Sequence, residues 1–384
     1  MNPFDSNSIP RIVFGRGKFS AIGPLTKKLG SAALLIHNGN DGETLDRLRS
    51  SLADIGVQRT FVRQHGEPQV GHVDAAVAIG RDAKCDVLIG LGGGSAIDAA
   101  KAVAGLLTNG GVATDYMEVV GKGQKITQAA MPWIAVPTTA GTGAEATRNA
   151  VIGLPEKQFK ASIRSELLLP RVALVDPELG LDVPPDVTAR SGMDALCQCI
   201  ESYTSTNAGP ETDAFALQGI GLAAIALPRA FEDGHDIDAR SDMALAALLS
   251  GITLTRAGLG AVHGFAAPLG AMLLIPHGTI CAALLSPVLA ANIAALRAES
   301  NDHPTLARYS RVAHALCGQD GPDHCVTFTA ELASRLRIPR LGQFGLTESH
   351  VAPLVALAKN ASSMRFNPVK LADEALANVL RSAM

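Results

Sequence analysis

Short apolar runs rich in β-branched residues dominate the first half of the chain, each closed by Gly, Pro, Asn or Asp, and they leave few folds open to it. Ile12 to Phe14, Ala32 to Ile36, Thr60 to Val62, Val87 to Ile89, Ile134 to Val136 and Val172 to Val175 read as strands. Between several of them lie amphipathic segments of helical length, such as Glu43 to Ile55 and Val73 to Ala83. This alternation predicts a mostly parallel sheet covered by helices on both faces. From Asp186 the pattern changes to Ala- and Leu-rich segments of helical periodicity, punctuated by Pro210, Pro228, Pro276, Pro287 and Pro339. The expected organisation is an α/β domain of nucleotide-binding type over residues 1–185 and an all-α domain over residues 186–384.

Composition narrows the partners. The chain has 384 residues, 47% of them hydrophobic, enough to bury a large core. Its 33 basic and 36 acidic residues give a formal net charge of −3 and no basic footprint for nucleic acid or an anionic membrane. Met1 to Pro10 lacks the basic start and apolar run of a secretory signal, and no segment reads as long as a bilayer span. A cytoplasmic protein without a membrane partner is expected. The six cysteines (Cys85, Cys197, Cys199, Cys281, Cys317, Cys325) show no zinc-ribbon spacing and read as small buried hydrophobes of a reducing compartment.

The strand ending at Gly90 runs into Leu91, then Gly92, Gly93, Gly94 and Ser95, then a helical stretch carrying Asp98 and Lys101. Glycines between a strand and a helix let the backbone approach a pyrophosphate, which the helix N-terminus stabilises. The run is not the G-x-G-x-x-G fingerprint, so an ordinary tight turn is its plain alternative. A second loop, Pro137-Thr138-Thr139-Ala140-Gly141-Thr142-Gly143, again follows a strand and suits a polar ligand.

With these motifs assembled, the chain resembles the iron-containing (group III) alcohol dehydrogenases, a family that includes glycerol dehydrogenase and maleylacetate reductase and is related to dehydroquinate synthase. The resemblance runs from Phe14-Gly15-Arg16-Gly17 through Gly92-Gly93-Gly94-Ser95, Pro137-Thr138-Thr139, Asp176-Pro177, Gly192-Met193-Asp194-Ala195-Leu196 and Pro276-His277-Gly278 to Asn367-Pro368. It implies an N-terminal dinucleotide-binding domain, a helical C-terminal domain that supplies metal ligands, and a homo-oligomer, expected to be a dimer.

The resemblance assigns Asp194, His263 and His277 as metal ligands and catalytic residues. Two family positions differ. Gln198 stands where the family has a ligand histidine, and Ala267 where it has a second histidine facing the substrate. Asp194 and Gln198, four apart on a helix, share a face, and an amide oxygen is a weaker ligand than imidazole. The expected ion is Fe²⁺ or Zn²⁺, loosely held or absent. Cys281, one turn after His277, shares its face if that segment is helical, although a buried structural cysteine is the plainer reading. His37, His235 and the other histidines read as surface residues.

An acidic residue at the end of the second strand normally accepts the NAD ribose and repels the 2′-phosphate of NADP. Here Ile36-His37-Asn38-Gly39-Asn40-Asp41 places neutral Asn38 there, so NAD or NADP is expected. Asn38, Gly92, Gly93, Gly94, Ser95, Asp98, Thr138, Thr139, Thr142 and Lys160 are the candidate cofactor contacts, with a surface lysine as the alternative for Lys160. Phe265, Ala267, Arg148, Asn149 and Phe366 are pocket candidates. Arg148 would suit a carboxylate substrate or serve in a structural ion pair. The expected reaction is hydride transfer between NAD(P) and a small alcohol/aldehyde, ketone or oxoacid. The alternatives are a metal-independent maleylacetate-type reductase, a lyase-type cyclase, disfavoured because Gly260 to Gly278 holds no Lys or Arg, and a non-catalytic dinucleotide-binding protein.

Overall fold

The computed structural model describes residues 9–39, 42–157 and 159–384; Met1 to Ser8 and the Asn40-Asp41 pair lie outside the described residues. Two compact units are formed, one running to Thr139 and resuming over Ala144–Gly180, the other made of Ala140–Gly143 and Leu181–Met384.

The first unit is built on β1 (Arg11–Phe14), β2 (Ala32–His37), β3 (Gln58–Arg63), β4 (Val87–Gly92), β5 (Trp133–Pro137), β6 (Asn149–Leu154), β7 (Phe159–Arg164) and β8 (Val172–Val175). Six of these form one parallel sheet in the order β1-β8-β5-β4-β2-β3, with Ala33 opposite Val87 and Leu88 opposite Trp133. The expected parallel α/β fold is present. Both faces of the sheet are buried because alternate strand residues feed two cores. Leu34, Ile36, Leu88 and Trp133 enter one, and Ala33, Leu35, Val87 and Ile89 the other. The helices are α1 (Ile22–Leu29), α2 (Glu43–Ala53), α3 (Val70–Asp82), α4 (Gly94–Asn109) and α5 (Ala113–Tyr116).

The antiparallel β6–β7 hairpin was not anticipated. It explains why α4 is buried nearly all round, at Ala96, Ile97, Ala99, Ala100, Ala102, Val103, Ala104 and Leu106: the sheet lies against one side and β6 against another. Asp176, at the far end of the unit in sequence, accepts hydrogen bonds from the N–H groups of Gly17 (3.2 Å), Phe19 (2.8 Å) and Glu178 (3.1 Å). The Gly15-Arg16-Gly17 and Asp176-Pro177 motifs are therefore two halves of one structural joint.

The second unit is helical: α6 (Pro185–Thr204), α7 (Pro210–Glu232), α8 (Ile237–Ala257), α9 (Ala261–Met272), α10 (His277–Glu299), α11 (Pro304–Cys317), α12 (Asp323–Arg335), α13 (Glu348–Lys359) and α14 (Asp373–Ser382). The expectation that no segment reaches span length is corrected here. Helices α7 and α10, 23 residues each, are long and apolar enough to cross a membrane by length and composition. Their apolar surface is used inside the unit, where α7 packs on α6, α8 and α11, and α10 on α6, α9 and α12.

Candidate functional site

Three helices of the second unit bring the metal candidates to one point. Asp194 and Glu201 lie seven residues apart on α6 and therefore share a face. Helix α9 turns by 102° from the axis of α8, so that His263 in its first turn meets that face. Its leading N–H groups are held by side chains: Ala261 donates to Asn367 Oδ1 at 3.1 Å and Val262 to Glu201 Oε1 at 2.7 Å. Asn367 also bonds to Asn292 (2.7 Å) and to the carbonyl of Val369 (2.8 Å), so the Asn367-Pro368 motif braces α9.

His277 opens α10 directly after Pro276. The next residue must be small, because a Cβ on Gly278 would fall 2.3 Å from the carbonyl oxygen of Arg190 on α6. This close approach, one helical turn from Asp194, sets His277 against the carboxylate.

Asp194 Oδ1 lies 3.2 Å from His263 Nε2 and 3.7 Å from His277 Nε2. His263 Nδ1 is 2.6 Å from Glu201 Oε2. Cys281 Sγ sits 3.7 Å from His263 Nε2 and 3.6 Å from His277 Nε2. Asp194, His263, Glu201 and Cys281 are buried, whereas the His277 side chain is 41% exposed and forms the open edge of the cluster. Gln198 is buried on the same helix, and its amide oxygen accepts from the Ser250 hydroxyl at 2.8 Å.

Burial pushes the Asp194 carboxyl up, but His277 and His263 opposite it prevail and hold it below the ordinary range. Burial disfavours charge on both imidazoles, and it is outweighed by the Cys281 sulfur and the carboxylates, which raise His263 well above its usual value and His277 to about 9. Since burial also pushes the Cys281 thiol up and keeps it protonated, the carboxylates are the physical source of this effect. The cluster favours positive charge, whether carried by imidazole protons or by a divalent ion. Its donor chemistry fits an ion. The carboxylate oxygen, two imidazole nitrogens and the sulfur all lie within 4.8 Å of one another. Glu201 behind His263 completes a carboxylate–histidine pair of the kind that orients metal ligands.

Sequence reasoning missed Glu201, which the 194–198–201 helical spacing signals. Cys281 joins the cluster although its plainer reading was structural. Phe265, a pocket candidate, is instead fully buried in the helical core. Ala267 is exposed, and Phe366 stacks beneath the Arg365 guanidinium.

The nucleotide candidates of the first unit gather at the carboxyl ends of β2 and β4. The strand order reverses there, the chain stepping outward from β2 to β3 and then back to β4, as it does where open α/β sheets bind ligands. Gly92 closes β4 with φ of 146°, and a Cβ on it would lie 2.0 Å from Asn38 Oδ1. That oxygen accepts from the Gly93 N–H at 3.3 Å. Gly93 caps α4, with Gly94 and Ser95 in its first turn. The Thr138 N–H donates to the Gly92 carbonyl at 3.0 Å, and the Thr139 hydroxyl would stand 3.2 Å from a Cβ on Gly93. These residues form one cradle at the start of a 16-residue helix.

Asp98 points elsewhere, accepting from the Val151 N–H at 3.0 Å and pairing with Lys101 at 3.6 Å. Lys160, on β7, is largely buried and paired with Glu67, so it is not a plain surface lysine. Arg148 pairs with Glu166 at 2.6 Å, the structural alternative left open for it. Thr142 belongs to the short Ala140–Gly143 segment of the second unit. His37 is a correction: it is buried, edge-on to Phe61, because β2 lies between β3 and β4. His235 is exposed, as expected.

The chain combines a parallel sheet with a glycine cradle and a helical unit with an Asp/His cluster, and comparison supplies its class. Residues 10–177 match the family Iron-containing alcohol dehydrogenase and residues 188–384 match Fe-containing alcohol dehydrogenase family, C-terminal; the chain belongs to the iron-containing alcohol dehydrogenases. It is an enzyme of alcohol dehydrogenase/reductase type, and the family implies NAD(P) and iron or a similar metal. Alcohol dehydrogenase 4 of Saccharomyces cerevisiae is 36% identical over 340 residues, covering 88% of this chain and 86% of the relative. The crystal structure of 1,3-propanediol oxidoreductase superposes with a TM-score of 0.91 at 30% identity, covering 100% of both chains. Sulfoacetaldehyde reductase from Bifidobacterium kashiwanohense, in complex with NAD+, gives 0.88 at 29% identity over 100% of this chain and 99% of the other.

Proposed function

We propose that the protein interconverts a small alcohol and its aldehyde or ketone by hydride exchange with NAD(H) or NADP(H), with a divalent ion, Fe²⁺ or Zn²⁺, held by Asp194, His263 and His277. The observation that carries this reading is the convergence of one carboxylate and two imidazoles from three separate helices. The dehydrogenase and reductase relatives support it. A bound ion would polarise the substrate oxygen, easing loss of the hydroxyl proton ahead of hydride departure in oxidation and hydride arrival at the carbonyl carbon in reduction.

The chain's own residues do the rest. Asp194 supplies negative charge to hold the ion. Glu201 fixes the His263 ring through Nδ1 and leaves Nε2 facing inward. Half-exposed His277 marks the side from which substrate arrives. Ala267 provides no imidazole, so the hydroxyl proton passes to water. In the first unit the Gly92–Gly94 cradle and the start of α4 receive the pyrophosphate, and neutral Asn38 leaves room for a 2′-phosphate. Both NAD(H) and NADP(H) are used on this reading; a preference for NAD(H) of roughly a thousandfold in kcat/KM would overturn that part.

The deciding experiment combines metal analysis of purified protein with NADH and NADPH oxidation over a panel of aldehydes and ketones, for wild type, chelated wild type and metal-reconstituted His277→Ala. Turnover should require the ion and fall with His277→Ala. Wild-type rates in both the chelated wild type and the reconstituted His277→Ala would replace the metal mechanism with a metal-independent reductase. Nucleotide binding without oxidation of any substrate would mark a binding protein.

A further inference from the structure

We infer that Cys281 supplies a fourth ligand to the ion, a thiolate, in the role left by Gln198, so that the site is an Asp–His₂–Cys centre suited to Zn²⁺. This rests on the metal reading above and adds a ligand that the family resemblance does not assign.

Spacing is the first argument. A tetrahedral ion with bonds of about 2.0–2.3 Å holds its ligand atoms about 3.3–3.8 Å apart. Four edges of the cluster are 3.2 Å (Asp194 Oδ1 to His263 Nε2), 3.7 Å (Asp194 Oδ1 to His277 Nε2), 3.7 Å (Cys281 Sγ to His263 Nε2) and 3.6 Å (Cys281 Sγ to His277 Nε2). Asp194 and Cys281 thus each lie beside both imidazoles, and all four donor atoms fall within 4.8 Å of one another.

The helix supplies the second argument. His277 and Cys281 are separated by one turn of α10 and project from one face, so placing His277 at Asp194 places the sulfur there too. Cys281 is fully buried, and its sulfur lies near two imidazole nitrogens rather than among aliphatic carbons alone. Cys197, the other nearby thiol, lies 4.0 Å from His263 Nδ1, the nitrogen already engaged by Glu201. Gln198, the residue that a comparison of motifs singles out, bonds through its amide oxygen to Ser250.

Coordination turns the thiol into a thiolate. The S–H bond breaks as the S–metal bond forms, and the proton leaves to solvent. A soft sulfur added to imidazole and carboxylate shifts preference toward Zn²⁺ over Fe²⁺, Mg²⁺ or Mn²⁺. Substrate oxygen can still join by expansion to five ligands.

Cobalt(II) titration of the chelator-stripped full chain tests this, with charge-transfer absorption of a cobalt–thiolate bond in the near ultraviolet as the readout. Wild type should bind one ion per chain and show the band. Cys281→Ser should bind at least about tenfold more weakly and lose the band, while Cys197→Ser and Gln198→Ala keep it. Cys281→Ala serves in parallel, with circular dichroism to verify folding, should serine be poorly tolerated in the buried position. Cobalt bound without the band, a band that survives in both Cys281 variants, or an affinity loss in Gln198→Ala equal to that of Cys281→Ser would overturn the ligand assignment and leave the Asp194–His263–His277 ion in place. Failure of wild type to bind cobalt or zinc would overturn both the assignment and the metal mechanism.

Discussion

Replacing Lys101 with methionine would show how the first unit holds α4, and the glycine turn at its start, in position. Lys101 is fully buried on α4, and its Nζ donates to the carbonyls of Ala144 (2.9 Å) and Asn149 (2.7 Å) and to the Thr147 hydroxyl (2.7 Å). Asp98, one turn away, completes the group and ties it to the backbone of β6. Methionine fills the space of the lysine stem but leaves three oxygens without this donor and the Asp98 carboxylate without its counter-charge. Removing one side of a buried pair costs about 3–5 kcal/mol. With a urea slope of about 2 kcal/mol/M, the transition of this unit should move down by about 2 M.

Trp133, the single tryptophan of the chain, reports that transition, since it is buried in β5 with its indole N–H donated to the Leu168 carbonyl at 3.0 Å. Adding Asp98→Asn should recover part of the loss, because the amide still accepts from Val151 and no longer carries an unpaired charge. A midpoint unchanged within a few tenths of a molar, or a double variant whose losses simply add, would refute the pairing argument.

The pH dependence has a defined sign. Burial pushes Glu145 up from 4.5 to about 7, so the folded unit holds a proton there that the unfolded chain has lost, and stability falls as pH rises across that window. Burial pushes Lys101 down from 10.5 to about 8, so the unfolded chain binds the extra proton above pH 8 and stability rises toward pH 10.5. The minimum lies between pH 7 and 8. Lys101→Met should abolish the alkaline rise and keep the acidic slope.

Two further outcomes follow. Gly92→Ala should destabilise the first unit by about 1–3 kcal/mol because its φ is 146° and its Cβ would meet Asn38, whereas Gly93→Ala, facing the Thr139 side chain at 3.2 Å, should fold normally and lose NAD(P)H affinity in a fluorescence titration. Unchanged affinity in Gly93→Ala would place the phosphates elsewhere. Glu201→Gln should weaken Zn²⁺ binding by about 10–100-fold in a competition assay, and an unaltered dissociation constant would deny Glu201 its hold on the His263 ring.

Much of the first unit was legible in the sequence because a strand buried on both faces is a continuous apolar run, and the four inner strands β2, β4, β5 and β8 announce themselves that way, while the edge strands β1 and β3 carry only a shorter apolar stretch. The β6–β7 hairpin did not, since Asn149–Leu154 and Phe159–Arg164 mix buried Ala and Ile with Lys, Ser and Arg, a pattern of one covered and one open face. Local apolar length was similarly ambiguous in α7 and α10, because a helix packed into a protein core and a helix facing lipid demand the same composition.

The sequence by itself determined local periodicity and the glycine turn, and its matched motifs singled out Asp194, His263 and His277 as candidates. It could not determine which chemically equivalent neighbours meet them. Asp194 and His263 are 69 positions apart, and the choice among Cys197, Gln198, Glu201 and Cys281 depends on how α6, α9 and α10 cross. Only the tertiary structure decided that Glu201 backs His263, that Gln198 bonds to Ser250 and that Cys281 faces both imidazoles. Such pairings arise from helix rotations and close backbone approaches, like that of Gly278 to Arg190, which a one-dimensional pattern does not encode.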